Sequence, residues 1–262
     1  MPPRAAEPGS APERRFFLAR SPRPPSDGRA ELIEEDARHA QRVLRLGVGD
    51  RMVGLDGRGG VWPGEVSAVA RDRVEVVVGP GGRIDPAPGA PGAALPWIEI
   101  AVAWPKPGKL EEMLDRLTQL GAAAIARLPC ERAGPHAQDP SGARRARLER
   151  VLREACKQSG LSWLPVLADE PADGEAELVL LDLDAGRTLP AWLARVEHGW
   201  TAARPLRVLV GPEGGFTAAE RAQWIARGAE PLALGPHVLR VETAAEAAMA
   251  TLAACSFTPR RT

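Results

Sequence analysis

Gly211-Pro212-Glu213-Gly214-Gly215, Leu234-Gly235-Pro236 and the step Arg240-Val241-Glu242-Thr243 have residue types that are hard to explain by folding alone. The first two end apolar runs, at residues 206–210 and 231–234, and the third leads into an alanine-rich segment. Turns that need small or rigid residues therefore follow strand candidates, which is where α/β proteins hold ligands. Glycine lets the main chain come close to a bound group, so the chemistry on offer is recognition by backbone groups, in a cofactor pocket. No Gly-x-x-x-x-Gly-Lys-[Ser/Thr] occurs, and no Gly-x-Gly-x-x-Gly opens a helix after a strand, which disfavours nucleotide-hydrolysing and dinucleotide-binding enzymes.

The order Gly211-Pro212-Glu213-Gly214-Gly215-Phe216, then Leu234-Gly235-Pro236-x-x-Leu239-Arg240-x-Glu242-Thr243-Ala244, resembles the signature of the bacterial 16S ribosomal RNA uridine-N3 methyltransferases, a family of the SPOUT class. Arg14-Arg15-Phe16-Phe17 and His39-x-x-Arg42-Val43-Leu44-Arg45-x-x-x-Gly49-Asp50 are similar to the family's N-terminal RNA-binding domain. Lys106-x-Gly108-Lys109-x-Glu111, Leu120-Gly121, Arg132 and Glu154-Ala155-x-x-Gln158-Ser159 fall where it has central motifs. Gln119, Ala133 and Leu161 depart from it, standing where the family usually has an acidic residue, a serine and an arginine.

The resemblance implies an α/β fold: a SPOUT-type C-terminal domain with a parallel sheet and a deep trefoil knot, preceded by a small PUA-like β-barrel domain. It implies S-adenosyl-L-methionine as cofactor and N3 of a specific uridine (U1498) in 16S ribosomal RNA, free or in the small ribosomal subunit, as substrate. It further implies a cytoplasmic homodimer, with no metal and no membrane. On that pattern Val210, Gly211, Gly214, Gly215, Leu234, Gly235, Pro236, Leu239, Glu242 and Thr243 bind the cofactor, and Arg14, Arg15, His39, Arg42, Arg45 and Arg132 bind RNA. A sulfonium methyl donor already carries its leaving group, so the protein needs mainly to align the reactants and handle one proton. Arg240 would stabilise negative charge developing on the base. Glu213 would take the proton, or would instead hold its own glycine-rich turn. A different SPOUT RNA methyltransferase and a catalytically degenerate RNA-binding relative are the alternatives.

The 262 residues must position these loops, and that length suits two modest domains with separate cores. Formal net charge is zero, with 44% hydrophobic and 26% charged residues, an ordinary balance for a soluble protein. No apolar run approaches the roughly 20 residues of a membrane-spanning helix. Residues 1–13 lack the apolar core of a secretory signal and read as a disordered tail. Between Arg127 and Lys157 eight basic residues face four acidic ones, an excess that contacts phosphate or is a solvated helix face. Cys130, Cys156 and Cys255 are isolated, without zinc-ligand spacing.

Residues 14–79 read as a small antiparallel barrel, with β-type runs at 15–19, 52–55, 61–69 and 74–78. A helix at 36–46 would set Arg38, Arg42 and Arg45 on one face, for RNA or for solvent, while Ala40, Val43 and Leu44 turn inward. Residues 80–96, with five prolines across 79–96, form a linker. From 97 to 262 strands alternate with helices, the pattern of a mostly parallel sheet covered on both faces. Strands are expected at 97–103, 122–128, 178–183, 206–210 and 231–234, and helices at 107–120, 143–159, 189–197, 218–227 and 244–254. Leu110, Met113, Leu114, Leu117 and Leu120 make a core stripe. Thr217-x-x-Glu220 and Thr243-x-x-Glu246 fit capping boxes at two helix starts.

Overall fold

A computed structural model describes residues 13–22, 28–79, 81–134 and 142–257. The tail expected over residues 1–13 lies, Glu13 apart, outside the described residues. The chain divides into two compact units, Met1–Asp85 and Pro86–Thr262.

The first unit contains β1 (Arg15–Phe17), β2 (Arg29–Glu31), α1 (Glu34–Arg42), β3 (Arg51–Leu55), β4 (Gly60–Ala70), β5 (Arg73–Val78) and β6 (Arg83–Ile84). Its sheet runs β1-β3-β4-β5-β2, with β6 on β4. A bridge between Leu18 and Leu32 joins the two edges, reinforced by Ala19 N–H donating to Glu31 O at 2.8 Å and Ile33 N–H to Phe17 O at 3.0 Å. The edges are thereby paired, as in a closed barrel. One pair departs from the antiparallel expectation: β1 lies parallel to β3, Phe16 opposite Gly54, because the chain between them passes through β2 and α1 instead of a hairpin. β6 falls in the stretch read as linker, so the start of that stretch belongs to this sheet.

Phe16, Leu32, Met52, Val66, Val74 and Val76 fill this unit's core together with Ala37 and Ala40 of α1. The inward face of α1 is Asp36, Ala37 and Ala40, and Asp36 Oδ2 accepts the Phe17 N–H at 2.5 Å. The helix stops at Arg42, four residues short of expectation, and Val43 is 65% exposed instead of inward. Burying Leu46 beneath Ala40 takes the chain off the helical path, with Arg45 at φ 51°. Arg45 therefore lies beyond the helix that carries Arg38 and Arg42.

The second unit contains β7 (Ile98–Val102), α2 (Lys109–Gln119), β8 (Ala124–Arg127), α3 (Ala143–Ser159), β9 (Val166–Ala168), β10 (Glu177–Leu181), α4 (Leu189–Leu193), β11 (Leu206–Val210), α5 (Ala218–Ala226), β12 (Glu230–Leu232) and α6 (Val241–Ser256). The sheet order is β12-β10-β11-β7-β8-β9, every pair parallel. β7 and β11 are buried along their whole length, as strands covered on both faces are. The expected stripe of α2 is core: Leu110, Met113, Leu114 and Leu117 are fully buried. Strands β7, β8 and β9 step outward on one side while β10, β11 and β12 occupy the other. The carboxyl ends of β10 and β11 thus lie near the reversal of strand order, the favoured ligand position in such sheets.

Two charges are sealed in this sheet. Arg207 on β11 stands opposite Glu99 on β7, with Nε donating to Oε2 at 2.9 Å, and its Nη2 donates to Ala172 O at 2.7 Å. Burial pushes the Glu99 carboxyl up despite the guanidinium beside it. Arg207→Met, which leaves Glu99 uncompensated, is expected to destabilise the protein by about 3–5 kcal/mol in urea melts, and the double variant Glu99→Leu/Arg207→Met to recover most of that loss. A single variant within about 1 kcal/mol of wild type would contradict this reading.

The helix α6 begins at Val241 with Arg240 as an extended N-cap, three residues before the expected start. Thr243 therefore sits inside the first turn, and the second capping box does not form: the Glu246 carboxylate accepts from Arg116 Nη1 at 3.1 Å instead. Val241, Ala245, Ala248, Met249, Leu252 and Ser256 form its buried face. The Thr217 box does form, with Glu220 N–H donating to Thr217 Oγ1 at 3.2 Å and Thr217 N–H to Glu220 Oε2 at 2.7 Å.

Candidate functional site

A cavity of about 410 Å³ opens where β10 and β11 end. The segment 180–184 forms one wall, the glycine-rich turn Val210–Phe216 a second, and Leu234, Gly235, His237, Val238 and Leu239 a third. Val241 and Ala244 of α6 also line it. Two loops separated in sequence by α5 and β12 thus converge on one space. Of the expected cofactor contacts, Val210, Gly211, Gly214, Gly215, Leu234, Gly235 and Leu239 line the cavity, and so does Glu213. Pro236, Arg240, Glu242 and Thr243 do not. Pro236 is exposed between two lining residues, Arg240 is exposed at the N-cap of α6, and Glu242 and Thr243 belong to that helix's first turn.

Each glycine has its own reason. A Cβ at Gly211 would stand 2.9 Å from the Phe216 ring, closer than packed atoms allow, so only glycine lets the ring fold beneath the turn. Gly215 has φ 68° and closes the turn with its N–H on Pro212 O at 2.8 Å. At Gly235 a Cβ would meet nothing within 4 Å. That glycine leaves space at the cavity instead of relieving a clash.

Polar groups around the mouth fall into two sets. Asp182, at the carboxyl end of β10, accepts from Arg221 Nε at 2.6 Å, and both residues line the cavity. The side chains of Glu213 and Arg240 are exposed and make no hydrogen bond or ion pair among the described residues. The turn is closed by backbone, so Glu213 is not holding it. An unpaired carboxylate on the cavity wall and an unpaired guanidinium at the start of the helix behind it are available to a substrate. Asp182, Arg221 and His237 escaped the sequence reading; an acidic residue ending the apolar run 178–181 was the signal for Asp182.

The expected RNA contacts are divided between the two units. Arg14 and His39 are exposed, Arg15 pairs with Glu13 at 3.2 Å, and Arg42 pairs with Asp72 at 3.2 Å. Arg132, after β8, donates from Nη1 to Gly214 O at 2.8 Å, which ties it to the cavity wall. Burial raises the Cys130 thiol, with the Glu220 charge adding to it, and raises the Cys156 thiol, each to about 12. Neither is a nucleophile at neutral pH. Among the described residues no cluster of His, Cys, Asp and Glu is arranged to hold a metal ion, and no helix is long and apolar enough to cross a membrane.

Residues 93–253 match the family described as RNA methyltransferase domain, and residues 32–79 the RNA methyltransferase PUA domain. The ribosomal RNA small subunit methyltransferase E of Synechocystis sp. is 31% identical over 84% of this chain and 71% of its own length. A Legionella pneumophila protein solved with bound S-adenosylmethionine superposes with a TM-score of 0.76 at 23% identity, over 93% of this chain and 98% of that one. The ribosomal RNA small subunit methyltransferase E of Neisseria gonorrhoeae, also solved with S-adenosylmethionine, gives 0.73 at 23% identity over 92% and 96%.

Proposed function

Since the chain belongs to the ribosomal RNA small subunit methyltransferase E family, whose RNA methyltransferase domain matches residues 93–253, we propose that it methylates N3 of one uridine in 16S ribosomal RNA from S-adenosylmethionine. The convergence of the two glycine-bearing loops on one cavity carries this reading. Its volume lies in the range of small-molecule sites, roughly 300–1,000 Å³, and its lining mixes aliphatic side chains with exposed main chain, which suits an adenosyl group. Bound there, S-adenosylmethionine supplies an electrophilic methyl group on a sulfonium.

The protein's part is placement and one proton. Leu234, Gly235 and Leu239 read the adenine edge through backbone groups, and Gly211 and Gly214 admit the rest of the cofactor. Glu213 accepts the N3 proton, and Arg240 stabilises the negative charge left on the base while N3 takes the methyl group. The site assembles at the contact of a homodimer, to which the small-residue surface of α6 contributes. Symmetric pairing is the commonest oligomeric arrangement. Sedimentation is expected to show a dimer at micromolar concentration; a monomer with undiminished transfer would contradict it. The deep trefoil knot belongs to the same reading, supported by the insertion of β11 between β10 and β7. A crystal structure in which residues 206–256 can be drawn out without crossing a loop would overturn it.

The barrel holds RNA by phosphate contacts from Arg14, Arg15, Arg42 and Arg45, with His39 beside them, fixing register without reading bases. Arg42→Ala/Arg45→Ala is expected to weaken RNA binding and reduce its salt slope by about 2, one unit per lost phosphate contact. Cofactor affinity should stay as in wild type. Unchanged RNA affinity at several salt concentrations would remove this face from the mechanism. The activity itself is tested by incubating the purified protein with S-adenosylmethionine and small subunits that lack the modification. Methyl incorporation at uridine N3 supports the proposal, and its absence opposes it.

A further inference from the structure

Two hydrogen bonds tie the chain just after β8 to the glycine-rich wall of the cavity and to α5 behind it, and a third, within the α5 cap, completes the link. Arg132 Nη1 donates to Gly214 O at 2.8 Å, Glu131 N–H donates to Glu220 Oε1 at 2.8 Å, and Glu220 Oε2 accepts the Thr217 N–H at 2.7 Å. One carboxylate thus caps α5 with one oxygen and holds the Glu131 N–H with the other. The stem of Arg132 also packs over Gly214, where a Cβ would lie 3.4 Å from Arg132 Cβ.

The turn needs this support. Glu213, Gly214 and Gly215 are exposed, and one backbone bond, Gly215 N–H to Pro212 O, closes the turn. Such a segment opens at low cost unless something outside it holds it. Glu131 and Arg132 are exposed as well and belong to neither hydrophobic core. Their bonds therefore bear on the turn more than on the stability of the sheet. Although burial works the other way, the N–H groups of Thr217 and Glu131 hold the Glu220 carboxyl below the usual range, as expected for a carboxylate that is bonded while charged.

We infer that Arg132 and Glu220 are positioning residues that hold the Gly211–Gly215 turn in its cofactor-binding shape, and that Arg132 acts through this turn instead of contacting RNA. The cofactor half of this inference rests on the function proposed above. A turn that spends part of its time open binds its ligand more weakly by the fraction that is closed. The clasp acts on binding and leaves the transfer step alone.

Arg132→Ala is expected to weaken S-adenosylmethionine binding about tenfold by titration calorimetry, the size of one charge-assisted hydrogen bond. kcat at saturating cofactor and RNA affinity should stay at wild-type values, and Arg132→Lys, which keeps a donor, should recover part of the loss. Hydrogen exchange on the cofactor-free protein reads the clasp independently: amides 213–215 should exchange faster in Arg132→Ala and Glu220→Ala, with β7 and β11 unchanged. Unchanged exchange would overturn the clasp. Faster exchange with wild-type cofactor affinity would overturn its role in binding, and weaker RNA binding with unchanged cofactor affinity would return Arg132 to the RNA interface. Wild-type protein that fails to bind S-adenosylmethionine would overturn the proposed function and the cofactor half of the inference, while the exchange result would still decide the clasp.

Discussion

Gly235→Trp is expected to abolish S-adenosylmethionine binding, by at least about a thousandfold or 4 kcal/mol, in a protein that melts where the wild type does. Gly235 lines the cavity, and a Cβ there meets nothing within 4 Å, so the main chain accepts a side chain without strain. The indole then occupies space in a cavity of about 410 Å³ that the adenosyl group needs. Gly211 would be a poorer choice, because its Cβ would strike the Phe216 ring and a loss of binding would be confounded with misfolding. Titration calorimetry beside a thermal melt reads both quantities. Wild-type affinity in Gly235→Trp would mean that this loop does not hold the cofactor.

Arg240→Ala is expected to lower kcat by about 10²–10³, with cofactor affinity little changed, the usual effect of removing one group that stabilises developing charge. The Arg240 side chain is exposed and has no partner among the described residues, so its removal should cost the fold little. Raising the pH should restore part of the rate, since the base then loses its N3 proton with less assistance. Arg240→Lys keeps the charge without the planar fork and should fall between the two. An unchanged kcat in Arg240→Ala, measured at saturating RNA and cofactor, would remove Arg240 from the chemistry.

The cavity loops were legible in the sequence because their shape depends on glycine and proline, whose backbone preferences are local. Gly211 and Gly215 fall in the loop after β11 and Gly235 in the loop after β12, where the alternation of strands and helices leaves room for them. Asp182 and Arg221 were not legible, because an acidic residue after an apolar run and an arginine on a helix face have many roles, and only the fold brings them to 2.6 Å. The same limit hid β2, β6 and β9, which have two or three residues each and owe their pairing to longer neighbours. Thr243 was misplaced because Thr-x-x-Glu fits a capping box at any helix start, whereas the real start depends on Arg240 being extended. The motif position of Arg132 suggests an RNA contact; its bond to Gly214, 82 positions along the chain, is a tertiary fact that local sequence does not show.

The central claim is methylation of uridine N3 in 16S ribosomal RNA, and nucleoside mass spectrometry of that RNA from a strain lacking this protein tests it most directly. The expected result is loss of 3-methyluridine from small-subunit RNA, restored by the wild-type chain and not by Gly235→Trp. An undiminished level of 3-methyluridine in the deletion strain would contradict it.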